Sequence, residues 1–124
     1  MDKNFYITTP IYYPSAKPHM GHAYSSIVVD FFARFKRIEG YNVFFLTGTD
    51  EHGLKIQRAA EKNNKEPLEF CDQISKTFKG LSKLLNLSNN DFIRTTEKRH
   101  HKAVNEIWNR LVKTNDIYLS LIHI

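Results

Sequence analysis

Residues 6–53, YITTPIYYPSAKPHMGHAYSSIVVDFFARFKRIEGYNVFFLTGTDEHG, decide the fold of this 124-residue chain. The stretch opens within a short apolar segment, Asn4–Thr9, which predicts a strand buried on both faces and ended by Pro10. Three prolines then keep the following loop extended as far as His19, since proline fixes φ and restricts the residue before it.

From Gly21 onward, apolar residues recur every three or four positions, which predicts a helix whose apolar face packs on a sheet. Gly40 is a natural C-terminal stop for that helix. Asn42–Thr47 contains four consecutive apolar residues and predicts a buried parallel strand. The result is a strand–helix–strand unit with parallel strands and a right-handed crossover. The predicted buried face consists of Tyr24, Ile27, Val28, Phe31, Phe32, Phe35 and Ile38.

After the loop Gly48–Gly53, helical periodicity returns twice, over Leu68–Leu85 and over Ala103–Val112. Between these helices, Asp91–Thr95 is predicted to be a short extended segment. The fold class is therefore α/β, an incomplete Rossmann-like parallel sheet with flanking helices. With two strands predicted, the open sheet edge is an expected surface for association with another chain.

Composition excludes several classes of protein. Hydrophobic residues make up 41% and charged residues 25% of the chain, as in soluble globular domains. The net charge of +5 is compatible with a polyanionic partner, although the lysines are scattered.

Cys71 is the only cysteine, which excludes an internal disulfide and a CxxC zinc site and favours a reducing compartment. No apolar run suits a bilayer and no secretory signal opens the chain, so a cytoplasmic protein without a membrane partner is predicted.

Two polar loops, Pro10–His22 and Gly48–Gly53, follow the predicted parallel strands. Ligands of open α/β sheets bind beyond the carboxyl ends of the strands, so these loops form the candidate site. His19 and His22 lie three residues apart at the start of a helix, on one side of its first turn. Gly21 between them leaves the backbone open to close approach by a ligand. The helix N-terminus and two imidazoles favour a phosphate whose charge changes during reaction.

Other interpretations of these residues are open at this stage. His19 and His22 could bind a metal, but no third ligand occurs at a recognisable spacing. They could be helix caps or surface residues, and Asp50 could be the N-cap of a helix that begins near Gly53. A dinucleotide-binding loop is disfavoured, since the glycines of GxGxxG are absent.

The sequence PHMGH, residues 18–22, resembles the HIGH signature of class I aminoacyl-tRNA synthetases, which related nucleotidyltransferases share. LTGTDEHG, residues 46–53, and DFIRTTEKRH, residues 91–100, are similar to the methionyl-tRNA synthetase branch and argue against the other nucleotidyltransferases. The resemblance covers roughly residues 4–119. The resemblance implies that residues 1–119 are the N-terminal part of a truncated class I catalytic (nucleotide-binding) domain with an incomplete HUP-type sheet, and that 120–124 are a tail outside the family.

The resemblance implies roles for particular residues. His19, Gly21 and His22 match the catalytic signature and, with Pro18, the ATP-binding residues. Asp50 matches the carboxylate that pairs with the ammonium group of methionine, a charge-assisted contact that orients the substrate. An apolar residue and an aromatic ring suit a polarisable thioether. The methionine-binding residues implied are Ile11, Tyr13, Asp50 and His52, and no metal ligands, zinc ligands included, are implied in this chain.

The reaction implied is that of a methionine–tRNA ligase, with ATP accompanied by Mg²⁺, methionine as substrate and tRNA(Met) as partner of the complete enzyme. The family also has a second signature, KMSKS, far downstream. Residues 73–77, QISKT, mimic it, but they lie in the middle of a predicted helix and are rejected. Without that signature and the downstream domains, the isolated chain is predicted to be inactive; the alternative is a non-catalytic remnant that binds a nucleotide or another chain.

Overall fold

The computed structural model describes residues 3–120, which form a parallel three-stranded sheet and four helices. The sheet order is β1-β2-β3, and both neighbouring pairs are parallel. The strands are β1 (Asn4–Thr8), β2 (Asn42–Thr49) and β3 (Asp91–Arg94). The helices are α1 (Met20–Ile38), α2 (Leu54–Lys62), α3 (Pro67–Leu84) and α4 (Lys98–Lys113).

The strand–helix–strand unit predicted for the first fifty residues is confirmed. β1 pairs with β2 from Asn4 opposite Asn42 to Thr8 opposite Leu46, and α1 connects them. Gly40 ends α1 as predicted, with φ of +83°, where a residue with a side chain would be strained. The next residue, Tyr41, donates its N–H to the carbonyl of Lys36 at 3.0 Å, which satisfies one of the last helical carbonyls.

The prediction of which face of α1 is buried is wrong. The buried residues are Ala23, Ser26, Asp30 and Ala33, whereas the seven large apolar side chains of the predicted face are each at least a third exposed. Ala33 is fully buried and forms the core with Val43 and Phe45 of β2. Small side chains let the helix lie close to the sheet. The large apolar side chains form a second face of the helix, left open within the described part of the chain.

The sheet is also covered on one face only. Phe5 and Ile7 of β1 pack against the core, while Tyr6 stacks on Phe44 with ring centroids 6.0 Å apart and both rings are exposed. The prediction that β1 is buried on both faces is therefore wrong, and β2 alternates along its first half. β1 is an edge strand, and nothing among residues 3–120 covers the outer face that Tyr6 and Phe44 share.

The second half of the chain contains α2 and β3, which the predicted pair of helices and the predicted two-stranded sheet did not include. α2 entered the sequence argument only as the helix near Gly53 that Asp50 could cap, because its nine residues are too few for a clear apolar stripe. Only Ile56 and Ala60 of α2 are buried, and α2 contacts α3. The segment at Asp91 is a true third strand, paired with β2 from Leu46 opposite Asp91 to Thr49 opposite Arg94. The two-stranded sheet is thus corrected to three strands.

α3 and α4 are both helices as predicted, but their apolar stripes differ in burial. On α3, Cys71 and Phe78 are buried, while Leu68 is exposed. Residues 73–77 lie within α3, so the rejected KMSKS mimic is indeed helical. α4 has no buried residue, and its apolar stripe is exposed throughout.

Two expectations concern the limits of the described residues. The predicted tail, 120–124, falls almost wholly outside residues 3–120. Among the helices of that part of the chain, none combines the length and the apolarity that a bilayer span requires.

Candidate functional site

The loop after β1 continues the pairing of β1 with β2 beyond the proline. Tyr12 forms a parallel bridge with Thr49: its N–H donates to the carbonyl of Gly48 at 3.1 Å, and its carbonyl accepts from the N–H of Asp50 at 2.8 Å. Below this bridge, the hydroxyls of Thr9 and Thr47 are 2.7 Å apart and buried. The structure therefore joins the two polar loops of the sequence at one edge of the sheet, as parallel strands require.

The two histidines of the signature cap α1 reciprocally. Nδ1 of His19 accepts the N–H of Gly21 at 3.0 Å, and Nδ1 of His22 accepts the N–H of His19 at 3.1 Å. This is a capping box in which imidazoles replace the usual hydroxyl and carboxylate. The capping interpretation is therefore correct. Because both Nδ1 atoms accept, each neutral ring carries its proton on Nε2.

The Nε2 atoms are the part of these rings left for a ligand. Within residues 3–120, neither Nε2 has a hydrogen-bond partner in the protein. The ring centroids are 3.9 Å apart at the N-terminus of α1, where the helix dipole favours negative charge. This arrangement suits an anion with several oxygens, such as a phosphate chain.

Gly21 has a structural role that the sequence argument did not predict. A Cβ at this position would lie 2.9 Å from Cε1 and 3.1 Å from Nδ1 of His19. The absence of a side chain thus makes room for the capping imidazole of His19. The close approach of a ligand to the backbone at Gly21 stays a prediction.

The pKa of His22 is lowered from its ordinary value. Partial burial disfavours the charged ring, and the neighbouring His19 lowers the pKa further. The hydroxyl of Tyr12, 2.9 Å from that of Ser26 and 3.4 Å from the carbonyl of His22, ties the loop to the first turns of α1. The lowered pKa favours the neutral ring of His22 at neutral pH, with Nε2–H able to donate to a ligand.

Ile11 and Tyr13 flank Tyr12 in the chain, and unlike Tyr12 neither of them is buried. Both are about half exposed. Ile11 lines a largely apolar cavity of about 230 Å³ over the open sheet face, with Leu46 and Ile93 among its walls. The ring of Tyr13 lies 5.6 Å from the ammonium of Lys55 on α2. The structure thus places these two residues at the predicted edge, but Ile11 and His52 line different cavities.

Asp50 is half-buried, and its backbone N–H is fixed by Tyr12. The alternative in which Asp50 caps the next helix is wrong. Gly53, with φ of +100°, precedes α2, and no side chain caps that helix. The carboxylate of Asp50 forms no hydrogen bond or ion pair with any other described residue, which leaves it available to a cationic group.

Glu51, beside Asp50, was missed by the sequence argument. Its side chain is 0% exposed and forms two hydrogen bonds with the guanidinium of Arg94, at 2.7 and 2.9 Å. Thr49 and Thr96 donate to it at 2.7 and 2.6 Å. Burial alone would raise the pKa of Glu51, but these hydrogen bonds and the charge of Arg94 outweigh it and lower the pKa.

Arg94 extends this buried network to α3. It also contacts Asp72 at 2.6 Å, so one guanidinium joins the end of β2, the end of β3 and α3. The buried thiol of Cys71 donates to the carbonyl of Glu51 at 3.8 Å, and burial raises its pKa to about 11. A buried carboxylate close to the end of a strand needs a cationic partner, and Arg94, within the predicted segment 91–95, was the available signal.

His52 follows Glu51 in the chain and contacts the backbone just after β3. Its Nε2 is 3.3 Å from the carbonyl of Thr95, and it lines a cavity of about 260 Å³ with His100 and His101 at the start of α4. Despite these three imidazoles, no group of three or more metal-ligating side chains within residues 3–120 has a geometry that could hold an ion. The metal interpretation of His19 and His22 also loses support, because both Nδ1 atoms serve as caps.

Comparison with known proteins places these features in a family. The family model described as tRNA synthetases class I (M) matches residues 5–124. A mitochondrial methionine–tRNA ligase from Takifugu rubripes is 55% identical over 117 residues, which cover 94% of this chain and 20% of the relative. A methionine–tRNA ligase from Lactiplantibacillus plantarum is 56% identical over 115 residues, 93% of this chain and 17% of the relative.

A solved structure shows the same fold. Mycobacterium tuberculosis methionyl-tRNA synthetase in complex with methionyl-adenylate matches with a TM-score of 0.91 and 47% identity. The match covers 95% of this chain and 23% of that structure. The chain spans about a fifth of the length of the curated relatives it matches.

Proposed function

The chain belongs to the family of class I tRNA synthetases of the methionine type, and from that premise we propose that it forms the ATP- and methionine-facing part of a methionine–tRNA ligase. One observation carries the proposal. The backbone hydrogen bonds of the Tyr12–Thr49 bridge hold the loop that leads to the histidine-capped end of α1 against the segment that carries Asp50. A nucleotide and an amino acid held by those two groups would therefore meet at one edge of the sheet.

For ATP, we propose that His19 and His22 donate from Nε2 to the phosphates, beside the backbone N–H groups of the first turn. Pro18 and Gly21 shape this contact by fixing the entry to the helix and by leaving room for the ring of His19. Neutral donors and a helix dipole stabilise charge that develops on the α-phosphate without supplying a nucleophile.

For methionine, we propose that Asp50 pairs with the ammonium group. Its free carboxylate and anchored backbone support this role, since a fixed partner orients the substrate for attack. Ile11 and Tyr13 would contact the thioether side chain, and their exposed apolar surface supports that. His52 is proposed as a further residue of the same site.

The reaction then proceeds in two steps. An oxygen of the methionine carboxylate attacks the α-phosphorus of ATP, and the bond to the bridging oxygen breaks to release pyrophosphate. A hydroxyl of the terminal ribose of tRNA(Met) next attacks the acyl carbon and releases AMP. Mg²⁺ would arrive on the ATP phosphates, because it prefers phosphate and water oxygens and residues 3–120 offer no three-ligand set.

We propose further that the chain by itself does not catalyse adenylation. Support comes from the share of the relatives that it spans, about a fifth. The domain boundary at residue 119 and the cytoplasmic location stay predictions; one relative is described as mitochondrial.

A chimaera tests the function. Residues 4–119 would replace the matching segment of the complete Lactiplantibacillus plantarum ligase, and methionine-dependent ATP–pyrophosphate exchange would be measured. We expect exchange in the chimaera, and its loss in the His22→Ala and Asp50→Ala variants. The isolated chain should show only background exchange. A folded chimaera without exchange, or one whose exchange survives both substitutions, would overturn the proposed function.

A further inference from the structure

The imidazole of His22 is enclosed by two aromatic rings from different parts of the chain. The ring of Tyr12, from the loop after β1, lies 4.9 Å from it at an interplanar angle of 77°. The ring of Phe78, from α3, lies 5.0 Å from it at 82°. Tyr12 and Phe78 also stack on each other, 5.6 Å apart at 22°.

The two enclosing residues are themselves held in place. Phe78 is 2% exposed and Tyr12 6% exposed, so neither ring can turn without disturbing its neighbours. Tyr12 is also anchored by its hydroxyl contact to Ser26 and by the backbone bridge to Thr49. The position of the His22 ring is thus set by the loop and by α3 as well as by its own helix.

We infer that Tyr12 and Phe78 are positioning residues which fix the orientation of the His22 ring, so that Nδ1 caps the helix and the Nε2–H group remains for a phosphate. The inference rests on the proposed function for the phosphate contact only. Edge-to-face contacts with two rings that are stacked on each other restrict the plane of a flat ring, which aliphatic neighbours of equal volume would not do. Rotation of His22 about its χ2 angle would break the hydrogen bond from the N–H of His19.

The same enclosure accounts for the protonation state of His22. The titratable groups that face it are His19 on its own helix and Tyr12 on the loop; α3 contributes the uncharged ring of Phe78. Burial against these rings is the larger cause of the lowered pKa of His22, and His19 is the smaller one.

Nitrogen-15 NMR of the histidine side chains of the whole chain tests the inference. The His22 signals are assigned by their loss in His22→Gln. In the unsubstituted chain we expect a protonated Nε2 and an unprotonated Nδ1, with a titration midpoint below the ordinary value of about 6.5. A mixture of both tautomers at His22 in this chain would overturn the inference without any variant being needed.

Matched leucine variants on α3 supply the comparison. Phe78→Leu removes the enclosing ring, whereas Phe70→Leu removes a ring equally buried two turns earlier on the same helix. We expect Phe78→Leu to mix the tautomers of His22 and to move its midpoint toward the ordinary value, and Phe70→Leu to change neither. Equal effects of the two variants, or none from a folded Phe78→Leu, would refute the positioning role.

A further arm in the chimaera separates this inference from the function. There Phe78→Leu should lower kcat/KM for ATP by about tenfold or more, as expected for a displaced contact group, and Phe70→Leu should not. The NMR arm needs no substrate. An inactive chimaera would therefore leave the positioning of His22 standing, and a failed NMR arm would leave the ligase proposal standing.

Discussion

At the scale of single residues, the two histidines show how a capping role is compatible with the chemical role proposed for them. Each Nδ1 is used by the helix, which determines the tautomer and leaves Nε2 for a ligand. The spacing of His19 and His22 predicted their place at the start of α1. It could not predict which nitrogen caps, nor that Gly21 serves the ring of His19, because those details depend on side-chain torsions that a sequence pattern does not contain.

Gly21 and Gly80 are expected to respond to alanine with opposite signs. Gly21→Ala places a methyl group against the ring of His19, so the cap is lost and the free energy of unfolding should fall by about 1 kcal/mol. At Gly80, on α3, an added methyl group meets nothing within 4 Å, and alanine should stabilise the helix by about 0.5–1 kcal/mol. Urea denaturation measures the change in the free energy of unfolding of each variant. Changes of the same sign would contradict the packing described around His19.

At the scale of secondary-structure elements, periodicity predicted the positions of three helices better than it predicted which face of a helix is buried. α1, α3 and α4 were all predicted, since each carries repeated apolar positions. The buried face of α1 was not, because its small residues at 23, 26, 30 and 33 also recur at helical spacing. Hydrophobicity ranks the large side chains first, whereas close packing of a helix on a sheet selects the small ones.

The corrected faces of α1 give a direct test by substitution. Phe31 is 63% exposed, so Phe31→Ser should change the free energy of unfolding by no more than about 0.5 kcal/mol. Ala33 is 0% exposed against β2, and Ala33→Leu should destabilise by about 1–3 kcal/mol through overpacking. Denaturant unfolding distinguishes them. A larger loss of stability from Phe31→Ser than from Ala33→Leu would support the buried face that was first predicted from the sequence.

The network around Glu51 links three elements and should dominate their stability. Glu51→Gln keeps the shape of the side chain but leaves Arg94 without its buried partner, with Asp72 still in contact. We expect a loss of about 2–3 kcal/mol in the free energy of unfolding at neutral pH. Glu61→Gln, on the exposed surface of α2, is the control and should have little effect.

The pH dependence of that loss follows from the lowered pKa of Glu51. Its stabilising effect is complete above the ordinary carboxyl pKa and disappears as the pH falls through the lower pKa of the folded state. The difference between the original chain and Glu51→Gln should therefore shrink on acidification below about pH 4. A difference that stays constant from pH 7 to pH 3 would show that the charge of Glu51 is not what stabilises the fold.

At the scale of the whole molecule, the α/β class and the parallel order were predictable, but the number of strands was not. β3 has four residues, too few for a clear alternation, and its place is determined by pairing with β2. The same scale shows how much apolar surface is left open. Phe31 and Phe35 stack on the outer face of α1, and Tyr6 and Phe44 stack on the outer face of the sheet.

We expect these open faces to cause concentration-dependent self-association of the isolated chain. The double variant Phe31→Gln/Phe35→Gln should lower the weight-average mass in sedimentation equilibrium. Lys98→Gln/Lys102→Gln, on the polar side of α4, should not change it. Unchanged association in the phenylalanine variant would assign it to the sheet edge or to α4, and monomeric behaviour at all concentrations would contradict the expectation.

The bridge between Tyr12 and Thr49 restricts how the candidate site can respond to a ligand. Because Tyr12 is hydrogen-bonded through its N–H and its carbonyl to the end of β2, the loop that leads to α1 is tied to the backbone next to Asp50. We therefore expect little relative movement of the proposed nucleotide and amino-acid contacts when a ligand binds. Any closure must come from rotating side chains or from another part of a larger enzyme that moves over this fixed platform.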